Sequence, residues 1–334
     1  MRTLHFLILL LLPFVGCNGP TNRIADAGSS EEACCCSGSS DRVAGRDDSA
    51  QGMCGALLAS RIGSLEELRS IIDIQYFNDS SGSNNDGEGN SMVRIKHCSN
   101  NQEVISELRS GISQDDIANA RDGDLGDRLD LVFSSPYAVA NRIDLNKVFT
   151  LARWKPNIFG EGDVAFYNLA KTSANNINTI DLAYVNRRDS SEKGYINTFN
   201  HITGQAFVTS CFTEEMADFI ADVHELHNML ELTTGKFTKE QLADSNNNPV
   251  DNYVDMINNE WGQEIGKQLK DKYDITAETH WTNELLVSYL NDIQSYYSWA
   301  FRIGIRPFRP EDEVVIKFSE KINKVMAGVP MEVL

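Results

Sequence analysis

YINTFNHITGQAFVTSCFTEEMADFIADVHEL, Tyr195–Leu226, is the stretch on which the reading of the chain turns. Apolar residues recur three and four apart on both sides of Phe212 and Thr213, the period of two consecutive amphipathic helices. Thr213 is an N-cap for the second helix, and Glu214 and Glu215 put negative charge in its first turn, where the helix dipole favours it. Polar side chains nevertheless stand where core is expected. Asn197, His201 and Gln205, spaced i, i+4, i+8, share one face of the first helix. Ala217, Ile220 and His224, with either His227 or Asn228, share a face of the second, and Glu225 sits about a quarter turn away from it.

Further helices follow. In NNPVDNYVDMINNEWGQEIGKQLKD, Asn248 can cap, Pro249 suits the first helical position and Asp251 follows in the first turn. Its apolar face runs through Val254, Ile257, Trp261 and Ile265, while Asp255 stands one turn from Asn258 and Asn259. TAETHWTNELLVSYLNDIQSYYSWAFRIGI reads as another helix, whose Tyr289, Tyr296, Tyr297 and Trp299 form an aromatic stripe of the core kind. EDEVVIKFSEKINKVM is helix or strand.

Towards the N-terminus the pattern changes. GALLASRIGSLEELRSIIDIQYF has helical periodicity weakened at Gly63, MVRIKHC alternates like a strand, NQEVISELRSGI reads as a helix and RLDLVFSS as a strand. His97 is expected as a partly exposed structural histidine, and Cys211 as a small core residue. The expected fold is mainly α, α+β overall. A small α/β domain covers 55–150, and a mainly helical domain over 151–334 carries the polar cluster.

With 334 residues, 41% of them hydrophobic, the chain can bury a sizeable core. A formal net charge of -18 leaves no positive surface for a phosphate backbone, so no nucleic-acid partner is expected. Arg2 precedes an apolar run, Phe6 to Val15, too short to span a bilayer but of the length of an export-signal core. The run ends in FVGC, which resembles the lipobox of bacterial lipoproteins, with Phe14 where Leu is usual. That resemblance implies a signal peptide over 1–17, lipid on Cys17 and a membrane as partner. Asn18 rather than Asp after the cysteine resembles the enterobacterial sorting signal for the outer membrane, which is the membrane this resemblance implies. An ordinary cleaved signal would instead leave Cys17 as a thiol. Residues 18–54 read as a Gly/Ser/Asp-rich tether, with one or two disulfides expected among Cys34, Cys35, Cys36, Cys54 and Cys98.

Asn-x-x-x-His, then His-Glu, then Asp-x-x-Asn-Asn-x-x-Gly, carried by Asn197, His201, His224, Glu225, Asp255, Asn258, Asn259 and Gly262, resembles an uncharacterised helical domain of bacterial and phage proteins. This sequence has Asn200 and Gln263 where that family tends to have Arg. On the residues themselves, His201, His224 and Asp255 are a usual ligand set for a divalent metal such as zinc, with a further position for water. Glu225, with His201, would then serve as catalytic acid or base, and Asn197, Asn258 and Asn259 would orient ligands. That set describes metal-assisted hydrolysis. The alternative is a non-catalytic surface lipoprotein that binds a protein or glycan, in which these polar residues are a structural network between helices.

Overall fold

The computed structural model describes residues 55–79, 90–99, 102–109, 111–117, 131, 134–178, 189, 192–226, 237, 239 and 249–328. The signal, the tether, Cys17, His227 and the capping candidate Asn248 lie outside them. The fold is mainly helical with one small antiparallel sheet towards the N-terminus, as expected.

A one-turn 3-10 helix, Ala59–Arg61, precedes α1, Leu65–Arg69. Ser64 Oγ caps α1 by accepting from the Glu67 N–H, and the Glu67 carboxylate accepts from the N–H of Gly63, the residue before the cap. The helix expected to continue through IDIQYF ends here, and the β-branched Ile71, Ile72 and Ile74 lead into strand β1, Asp73–Asp79. β2, Asn90–Ser99, pairs antiparallel with β1 and with β3, Gln102–Arg109. The helix expected over NQEVISELRSGI is therefore β3. Val104 and Leu108 are four apart and fit either period. The buried series Val104, Ser106, Leu108 against outward Glu103, Ile105 and Glu107 shows that two is the period that operates. Arg94 with Glu107 and Lys96 with Glu103 cross-link the outer face of the sheet. Of the strand-like run at 128–135, residues 131 and 134 are helical.

Helices α2, Pro136–Ala140, α3, Arg142–Ala152, α4, Pro156–Phe159, and α5, Phe166–Asn175, lead to α6, Asn197–Cys211. Then come α7, Glu214–Leu226, α8, Pro249–Lys272, α9, Asn283–Phe301, and α10, Glu313–Met326. Thr213 caps α7, its Oγ1 accepting from the Met216 N–H at 3.1 Å. The undecided last segment is helix α10.

α8 sits at the centre, packed on α6, α7 and the sheet, and is buried on nearly every side. Its solvated positions are confined to a stripe through Glu264, Lys267, Gln268 and Asp271, so the buried Asn258, Asn259, Asp255 and Gln263 must find partners inside the protein. α6 crosses it without a gap. A Cβ on Gly262 would lie 2.8 Å from the Ile202 carbonyl oxygen, and one on Gly266 2.7 Å from that of Ala206. The apolar core is continuous from Leu57 through Val93 and Ile95 of β2 to Phe199, Ile257, Tyr289 and Phe318. Of the aromatic stripe, Tyr289 and Tyr297 are core, their hydroxyls bonded to Ser210 and Thr203, whereas Trp299 is 41% exposed. His97 is not partly exposed: it is buried at 5% exposure, where its Nδ1 accepts from the Trp261 Nε1–H at 3.2 Å. Burial holds its pKa down at about 4, so it stays neutral. Cys211 is buried as expected, and burial pushes its thiol up to about 12.

Candidate metal centre

Three helices bring one imidazole and two carboxylates together. Asn197 and His201 lie one turn apart on α6, Asp255 and Asn259 one turn apart on α8, and Glu225 near the end of α7. The Asn197 Nδ2 donates to both oxygens of Asp255, at 2.9 and 3.1 Å, and so fixes the plane of that carboxylate. His201 Nδ1 lies 2.9 Å from Asn259 Oδ1. With that oxygen as acceptor, Nδ1 carries the ring proton and Nε2 presents its lone pair. Nε2 is 3.3 Å from Asp255 Oδ2. Two ligands bonded to one tetrahedral ion at about 2.0 to 2.1 Å stand about 3.3 Å apart, so this spacing is that of a coordination edge.

Glu225 completes the group: one ligand atom from each of His201, Glu225 and Asp255 lies within 4.8 Å of the others. Glu225 is 3% exposed, and among the described residues its Oε1 has no hydrogen-bond partner. Burial, then the charge of Asp255, push its carboxyl up to about 8, against a smaller opposing pull from His201. The repulsion extends along α7. Burial, then Asp218 and Glu260, raise Asp222 to about 8, and burial, then Asp218, raise Glu260 to about 8.

Two residues exchange the places that the sequence suggested. Glu225, expected as the general base, is in the ligand group. His224, expected as a ligand, is exposed, with Nδ1 3.3 Å from Gln114 Oε1 and its ring centroid 6.3 Å from that of His201. The reason is the packing of α7. Its inward stripe is Ala217, Ala221, Glu225, two small residues four apart that let the helix approach its neighbours, and the next residue on that stripe is the glutamate. Asn197 and Asn259, expected to orient ligands, hydrogen-bond to Asp255 and His201. Asn258 points elsewhere, to the backbone of Leu57, accepting from its N–H at 2.8 Å and donating to its carbonyl at 3.0 Å. Gln205, one turn beyond His201, lies 3.5 Å from the Gln263 amide nitrogen.

No protein-family model, curated protein or solved structure matches the chain.

Proposed function

We propose that this is an exported, lipid-anchored protein that holds one divalent transition metal at His201, Glu225 and Asp255 and uses it for hydrolysis. The supporting observation is the buried carboxylate oxygen of Glu225, unpaired among the described residues, beside the Asp255 carboxylate and the His201 lone pair. Ionising a buried carboxyl that has no cation or donor beside it is costly, which is why Glu225 holds its proton up to about 8. A cation bonded to all three would offset that cost. The Asn197–Asp255 and Asn259–His201 bonds also suit a purely structural network, but such a network leaves Glu225 unexplained.

One imidazole with two carboxylates is a mixed nitrogen and oxygen set, which suits zinc, iron or manganese better than softer ions. When bound, the ion would supply a Lewis acid and an activated water. Asn197 and Asn259 would orient Asp255 and His201, and His224 beside the group is the remaining imidazole for proton transfer. The test is a zinc and manganese titration of variants. His201→Ala and Asp255→Ala should weaken binding about a hundredfold, while His224→Ala keeps affinity. Equal affinity in all three would place the metal elsewhere.

No helix among the described residues is long and apolar enough to cross a membrane. What supports membrane attachment is the lipobox-like string that ends in Cys17. Expressed in a Gram-negative bacterium, the protein should fractionate with the outer membrane and be released by Cys17→Ser. A wild type found soluble in the periplasm would refute this anchor.

A further inference from the structure

The first described residues after the tether-like segment thread into the helices. Ala56, Leu57 and Leu58 are at most 1% exposed. Their backbone is held at successive steps. The Gly55 N–H donates to Ser99 Oγ at 2.7 Å, the Ala56 N–H to the Tyr296 hydroxyl at 2.9 Å and the Leu57 N–H to Asn258 Oδ1 at 2.8 Å. The Leu57 carbonyl accepts from Asn258 Nδ2 at 3.0 Å and from Thr198 Oγ1 at 3.2 Å. The two side chains that grip Leu57 adjoin the two asparagines that orient the site. Thr198 follows Asn197 on α6, and Asn258 precedes Asn259 on α8.

We propose that this strap, Gly55 to Leu58, positions the metal centre: by tying Thr198 to Asn258 through Leu57 it sets the spacing of α6 and α8 where Asn197 and Asn259 hold Asp255 and His201, and so sets the affinity for a divalent cation. This rests on the metal reading above. Asn258 is on this account a positioning residue that acts through the backbone of Leu57. A ligand group spread over three helices is only as well formed as the spacing of those helices, and an error of a few tenths of an ångström between α6 and α8 falls directly on the 3.3 Å separation of His201 Nε2 and Asp255 Oδ2.

A matched control exists in the same protein. Asn323 on α10 makes the same two-bond clamp, accepting from the Trp281 N–H at 2.8 Å and donating to the Trp281 carbonyl at 2.8 Å, and α10 carries no site residue. Full-length wild type, Asn258→Ala and Asn323→Ala would be titrated with zinc and with manganese against a competing chelator, and amide exchange of residues 197–201 would be followed in each. Both variants should lower the melting temperature. Only Asn258→Ala should bind about tenfold more weakly and exchange faster over 197–201. Thr198→Val, which removes a single bond to Leu57, should shift both readouts in the same direction if Asn258→Ala does not fold. Equal affinities and equal exchange in the Asn258 and Asn323 variants would overturn the coupling. A wild type that takes up no metal would overturn the metal reading instead, and the exchange comparison would still decide whether the strap governs this turn of α6.

Discussion

Stripped of divalent metal, the protein should melt at a higher temperature at pH 6 than at pH 8, by on the order of 5 °C. Asp222 and Glu260 both have carboxyls raised to about 8, by burial first and then by the charge of Asp218, and Glu225 joins them. A carboxyl whose folded pKa lies above its unfolded one contributes stability that is fully present below the unfolded value. That stability is lost as pH rises through the folded value. The window for these three groups therefore runs from their ordinary values, 3.8 for Asp222 and 4.5 for the two glutamates, up to about 8. His97 opposes them at the acid end. Its pKa is lowered from 6.5 to about 4, so its contribution is complete above 6.5 and is lost between 6.5 and about 4. The metal-free optimum should accordingly fall on the acid side of neutrality, short of the range where His97 protonates. With metal bound the slope should reverse, because binding needs a neutral imidazole and ionised carboxylates. Melting curves at successive pH values, with and without chelator, check both signs. A metal-free protein that gains stability from pH 6 to pH 8 would contradict this electrostatic account.

Glu225→Gln should stabilise the metal-free protein at pH 8, by about 2 kcal/mol, and abolish metal binding. The substitution keeps the shape and removes a buried charge whose Oε1 has no hydrogen-bond partner among the described residues and which lies near the Asp255 carboxylate. The gain should shrink towards pH 5, where the glutamic acid is already neutral in the fold. Asn197→Ala should do the opposite at every pH. It removes the donor to both oxygens of Asp255 and should cost about 1 to 3 kcal/mol. A structural network predicts loss from both substitutions, so denaturant curves in which Glu225→Gln destabilises the metal-free protein would favour that alternative.

The helices that carry the site could be read from local rules. Thr213 with Glu214 and Glu215, and Pro249 with Asp251, are start signals whose physics is confined to one turn, and α7 and α8 begin there. β3 could not be read in this way. Val104 and Leu108 satisfy both a helical and a strand period, and what decides between them is pairing with β2, a contact remote in sequence. The same limit affects the site. His201, Asp255, Asn197 and Asn259 were legible because i, i+4 spacing puts each pair on one face of its helix. His224 and Glu225 are adjacent, and choosing between them depends on which way α7 turns towards α6 and α8. Ala217 and Ala221 mark that direction, but they are small residues without chemistry of their own, whereas an imidazole draws the eye. Asn258 and Asn259 pose the same problem on α8, where one reaches His201 and the other the backbone of Leu57.

The most direct test of the metal centre is elemental analysis of the full-length protein purified without chelator and dialysed, beside Glu225→Gln prepared in parallel. The wild type should carry about one transition-metal ion per chain and the variant far less. Equal metal content in the two, or none in the wild type even after incubation with zinc and manganese, would contradict the assignment of His201, Glu225 and Asp255 as a metal site.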